Sequence, residues 1–162
     1  MRALLAILVT LVVATAACAA EWDTIRPGES TQAAVREQFG QPTRVTSQKI
    51  EGYDSAQWLY EGTQAPRGMT KMTIDFGLLT PQGYKAEIVR VMQLTPRRGV
   101  FTRSQILAGW GEPQGISTDK GVPLIAYRSG LIVTFDPEGL LVTSMTFTPP
   151  QTQDAAPAPK RP

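Results

Sequence analysis

The chain has 162 residues, of which 42% are apolar, and a formal net charge of +2. That apolar share suits one compact domain or two small packed units and falls short of a membrane bundle, while the balanced charge gives no strong pull toward nucleic acid. There is no histidine and the single cysteine is Cys18, which excludes a His/Cys zinc site, a Ser-His-Asp triad, a Cys-His pair and an intramolecular disulfide.

Residues 1–20 read as an export signal. Arg2 supplies a positive start, Ala3 to Ala14 is apolar apart from Thr10, and small residues close the segment. This is the pattern of a secretory signal peptide, and the apolar run is shorter than the roughly 20 residues that span a bilayer. Ala17-Cys18-Ala19 and Cys18-Ala19-Ala20 both suit an ordinary signal peptidase. Thr15-Ala16-Ala17-Cys18 resembles a lipobox, with Thr15 where an aliphatic residue is usual. A lipid on Cys18 would tether the protein to a membrane surface, the one route to a membrane expected here.

The next stretch carries an internal correspondence. Gly28, Thr31, Val35, Phe39, Gly40 and Pro42 recur 71 positions later as Gly99, Thr102, Ile106, Trp110, Gly111 and Pro113. Each set reads as a short capped helix. Thr31 or Ser30, and Thr102, supply an N-cap oxygen. Val35/Phe39 and Ile106/Trp110 form one apolar stripe each. Gly40 and Gly111 end the helix, and Pro42 and Pro113 prevent its resumption. Phe39 and Trp110 are expected to fill a helix–sheet seam.

Strands follow. Trp58-Leu59-Tyr60 answers Ile125-Ala126-Tyr127, Met72–Phe76 answers Leu131–Phe135, and Ile88–Leu94 answers Leu141–Phe147. Asp136-Pro137-Glu138-Gly139 places Pro and Gly where a tight turn needs them, and Thr80–Tyr84 is a longer equivalent. The predicted fold is α+β: two tandem repeats, each with one or two short helices packed on a three-stranded antiparallel meander. The expected divisions are a signal peptide over 1–20, repeat one over 21–95, repeat two over 96–148, and a disordered Pro/Ala tail over 149–162. The tail holds Pro149, Pro150, Pro157, Pro159 and Pro162 and no large apolar side chain.

The string Pro27-Gly28-Glu29-Ser30-Thr31…Val35…Phe39-Gly40-Gln41-Pro42, followed by Trp58-Leu59-Tyr60 and strand–turn–strand, resembles the SmpA/OmlA (BamE-like) domain family. The second copy, ending in Asp136-Pro137-Glu138-Gly139, is similar, and the tandem plan resembles that of the β-lactamase inhibitor protein. The resemblance implies a cell-envelope protein that works by binding. Its partner would be a component of the barrel-assembly machinery or, alternatively, an extracytoplasmic enzyme held by an inhibitor-like protein. The location implied is the periplasm, or the inner leaflet of the outer membrane if Cys18 is lipidated.

Candidate contacts are few. Trp58 falls out of phase with the inward residues if Leu59 points in, which makes it a candidate exposed anchor, and Tyr53 and Tyr84 sit in expected loops. Arg97, Arg98 and Arg103, joined by Arg90, form a small basic group at the repeat junction, more simply read as solvated surface than as a lipid or acidic-partner site. Asp75 and Glu87 are the one carboxylate pair that invites a hydrolase reading, but outward-facing strand residues account for them. The expectation is a non-enzyme, with no catalytic residue, cofactor, metal or nucleic-acid partner.

Overall fold

The computed structural model describes residues 20–151. The expected lipidation position Cys18, the rest of the export segment and residues 152–162 of the tail lie outside the described residues. In chain order the elements are α1 (Gln32–Phe39), β1 (Arg44–Ile50), β2 (Tyr53–Glu61), a 3-10 turn (Gly62–Gln64), β3 (Met69–Thr80), β4 (Gly83–Pro96), α2 (Arg103–Trp110), β5 (Gly115–Asp119), β6 (Val122–Ala126), β7 (Leu131–Phe135) and β8 (Val142–Phe147). All eight strands join one antiparallel sheet in the order β1-β2-β3-β4-β8-β7-β6-β5.

This overturns the expected fold class. In place of two helix-plus-three-stranded-meander repeats there is a single eight-stranded sheet carrying two short helices. Two physical facts separate expectation from structure. The strands at the sheet margins, β1 and β5, are exposed along most of their length, so they carry no alternation of apolar and polar residues to read. The last strands of the two halves then pair with each other, Met92 to Leu94 of β4 against Phe147 to Met145 of β8. That pairing merges two would-be sheets and buries what would otherwise be two open edges. The boundary expected at 95/96 falls at the end of β4.

The helix signals do hold locally. Thr31 Oγ1 accepts from the Ala34 N–H at 3.3 Å, and Thr102 builds a full capping box with Gln105. Gly40 (φ 75°) and Gly111 (φ 76°) close the two helices, a backbone region that L side chains avoid. Helices of eight residues do not persist alone. Each is held by one fully buried residue, Val35 or Ile106, and by the half-buried Phe39 or Trp110 packed against the core. Tyr60 donates from its hydroxyl to the Gly40 carbonyl at 3.1 Å, and Tyr127 does the same to Gly111 at 3.1 Å. Each phenol thereby satisfies a carbonyl at the end of a helix, a group that has no partner within the helix itself.

The core is a pair of side-chain rows crossing the sheet beneath the helices. Cross-strand register lines up Tyr60, Met72, Leu94, Met145, Val133 and Ile125, all fully buried. A second row runs Trp58, Ile74, Met92, Phe147 and Leu131. The rows continue without interruption from β2 to β7, so the two halves share one core. At its rim, Trp22 packs edge-on to Phe101 with ring centroids 6.0 Å apart. The chain from Pro149 to Gln151, expected to open the disordered tail, is instead held: the Gln151 N–H donates to the Arg128 carbonyl at 3.0 Å, and Pro149 lies against Gly28.

Candidate interaction face

A strand places alternate side chains on opposite faces, so the row between the two buried ones must point away from the helices. That row is Leu59, Thr73, Gln93, Thr146, Ile132 and Ala126, on β2, β3, β4, β8, β7 and β6. Beside it run Thr46, Gln57, Asp75 and Val91. Among the described residues no helix covers this face, and its members are partly or well exposed, Ile132 at 37%. Thr73, Gln93 and Thr146 put hydroxyl and amide groups at the centre of the row, with Leu59 at one end and the paired Ile132 and Ala126 at the other, which keeps the middle of the face wettable.

One corner has more structure. Tyr53 lies four residues before Gln57 on β2 and so shares its face. Its ring stacks on Tyr84 with centroids 4.4 Å apart and planes 18° apart. The Tyr84 hydroxyl donates to the Asp54 carbonyl at 2.7 Å. Gly77 permits this: its φ is +93°, and a Cβ there would fall 2.9 Å from Tyr84 Cζ and nearer still to the hydroxyl oxygen. A cleft of about 240 Å³ lies at this corner, lined by Ile50, Tyr53, Gly77, Tyr84 and Arg90 among others. Next to it, Gln57 Nε2 donates to Asp75 Oδ1 at 2.8 Å, and Arg90 Nη2 stands 3.8 Å from Asp75 Oδ2. Arg90 Nε is buried without an acceptor.

The expected contact residues are therefore partly gathered and partly dispersed. Tyr53 (42% exposed) and Tyr84 meet in one stack. Trp58, expected as an exposed anchor, is 3% exposed and belongs to the core. Of the two phases open to Trp58-Leu59-Tyr60, the one adopted buries both aromatics, which removes more apolar surface from water than burying Leu59 alone. Its ring meets Phe76 at 4.8 Å on one side and the Arg36 guanidinium at 4.9 Å on another.

The arginines do not form one cluster. Arg90 is on the open face with Asp75. Arg103 lies over the Phe135 ring at 5.3 Å, on the helix side. Arg97 and Arg98 are exposed in the link from β4 to α2. Arg98 lines a cleft of about 500 Å³ with Thr95, Asp136 and Leu141. There Asp136 accepts from the Leu141 and Leu140 N–H groups at 3.0 and 2.8 Å. The Leu141 bond foremost, with the Leu140 bond and the Arg98 charge, holds its carboxyl below the usual value.

Asp75 and Glu87 sit on opposite sides of the sheet. Asp75 belongs to the open face, whereas Glu87 lines a cleft with Thr31, Arg36 and Trp58 beside α1. They cannot flank one scissile bond as a glycosidase pair would. The described residues contain no group of three or more His, Cys, Asp or Glu placed to hold a metal, and no helix long and apolar enough to cross a membrane. Sequence reasoning sets Asp75 at an outward-facing strand position but does not join it to Gln93, Thr146 and Ile132 in one open face. Its signal, Thr73 and Asp75 on β3 and Gln93 on β4 set between buried residues, reads as ordinary solvent exposure until the face is seen to extend across the merged sheet.

No family model and no curated protein matches the chain. Among solved structures it is similar to a DUF4309 family protein (YjgB) from Bacillus subtilis subsp. subtilis str. 168, with 11% sequence identity and a TM-score of 0.48 over 78% of this chain and 83% of that one.

Proposed function

We propose that this chain is an exported cell-envelope protein of SmpA/OmlA (BamE-like) character that works by binding another protein through the uncovered face of its sheet. The observation that carries the reading is the continuous row Leu59, Thr73, Gln93, Thr146 and Ile132, left open opposite both helices. Eight strands about 4.8 Å apart span roughly 34 Å, and strands of about 17 Å give a projected area near 600 Å². With side-chain relief, that is the scale of the roughly 800 Å² one partner gives to a standard interface. The stacked Tyr53 and Tyr84 supply a rigid aromatic anchor at one corner, the residue type that most often dominates such contacts.

The test is site-specific photo-cross-linking in cells. A benzophenone amino acid at Thr73 or Gln93 is expected to give one discrete adduct in the envelope fraction, absent when the probe stands at exposed Ala33 on α1. Identification of that adduct separates a barrel-assembly subunit from an enzyme held by an inhibitor. Adducts from Ala33 with none from Thr73 or Gln93 would overturn the assignment of the face.

A further inference from the structure

We infer that export processing cuts the chain between Ala19 and Ala20, leaving a free amino terminus on Ala20 that docks on the carbonyl of Ser129. This rests on the reading of an exported chain. Three positions compete in the sequence: a cut after Ala19, a cut after Ala20, and lipidation of Cys18. The structure distinguishes them because Ala20 is already part of the folded body. It is 4% exposed, belongs to the same core as Ile25 and Phe147, and its N–H donates to the Ser129 carbonyl at 2.8 Å. The following turn is fastened too, by a two-way backbone pairing of Trp22 with Ile25 and by the Glu21–Arg26 ion pair.

Hydrolysis of the Ala19–Ala20 peptide bond consumes one water, leaves a carboxylate on Ala19 and frees the amine of Ala20. Ala17 and Ala19 then occupy the two small-residue positions that a signal peptidase requires. The new ammonium keeps a donor aimed at Ser129, and a charged donor makes the stronger hydrogen bond. A cut one residue later discards Ala20, empties its place in the core and leaves the Ser129 carbonyl without this donor. Lipidation of Cys18 meets a different obstacle. Residues 18 and 19 reach at most about 7 Å, no more than one headgroup layer of roughly 5–7 Å. The turn at Ser129 would be pressed into the membrane surface.

The experiment is intact-mass and N-terminal analysis of the protein recovered from the envelope of expressing cells. The expected mass is that of residues 20–162. A chain starting at Glu21, or a diacylated Cys18, overturns the inference while leaving export intact. An uncut chain starting at Met1 overturns both this inference and the export reading. A second measurement tests the physical reason: purified chains 20–162 and 21–162 are compared by thermal unfolding. The longer chain is expected to melt about 3–6 °C higher, and equal melting temperatures would remove the argument.

Discussion

Gly77→Ala is a substitution whose cost can be worked from the geometry. The residue has φ +93°, so any side chain incurs the left-handed penalty of roughly 1–2 kcal/mol. The added Cβ also enters the space of the Tyr84 ring. The ring can swing away, but only by giving up its hydrogen bond to Asp54 and its stack on Tyr53. Those losses come to about 0.5–1.5 kcal/mol each. The expected total is about 2–5 kcal/mol, read as a lower urea midpoint with an unchanged slope. Gly83→Ala is the control: its φ is +111° and nothing lies within 4 Å of a Cβ there, so it carries backbone strain alone. In a Tyr84→Ala background the cost of Gly77→Ala is expected to fall to the backbone penalty. If Gly77→Ala costs no more than Gly83→Ala, or costs the same with and without Tyr84, the reasoning is wrong.

Thr102→Ala removes the capping box of α2 and is expected to cost about 1 kcal/mol, whereas Ile106→Ala empties a fully buried site for about 2–5 kcal/mol; urea unfolding of both variants checks the ranking. Burial pushes the Tyr60 phenol up to about 12 from 10.0. Because the folded value is raised, the stabilisation is complete below pH 10 and is lost as pH rises through 12, and Tyr60→Phe should flatten the unfolding free energy across that window. Asp136 has the opposite sign: its folded carboxyl is lowered from 3.8, so its contribution is present above that value and lost as pH falls below it. Asp136→Asn should therefore show a smaller decline in melting temperature on acidification from pH 5 to pH 2.

Much of the local architecture was written in side chains that act over a few residues. Thr31 and Thr102 cap, Gly40 and Gly111 terminate, and the Asp136–Gly139 turn joins β7 to β8, because each signal works through a neighbour in sequence. What failed depends on distant partners. β1 and β5 are strands only because β2 and β6 offer them a backbone to pair with, and their own residues, such as Thr46 and Ser117, carry no buried periodicity. The meeting of β4 with β8 joins residues some fifty positions apart through three pairs, for which no local pattern exists. Trp58 shows the same limit within one strand: the alternation of Trp58-Leu59-Tyr60 is legible, but which phase is buried shows only where Trp58 pairs with Ile74 across the sheet. The candidate face follows from the merged topology, and its central residues Thr73, Gln93 and Thr146 carry no local mark of a contact.

The seam between β4 and β8 has one more implication. Only three rungs of backbone cross the middle of the sheet, from Met92 to Leu94, while the side-chain layer beneath them is unbroken. Cohesion there is therefore largely non-directional, and two of the four residues that meet across it beneath the helices, Met92 and Met145, are thioethers that refill irregular space at little cost. Sliding one half of the sheet past the other would therefore cost backbone pairing at three positions, the same number that joins β6 to β7, while the buried rows common to both halves resist their separation.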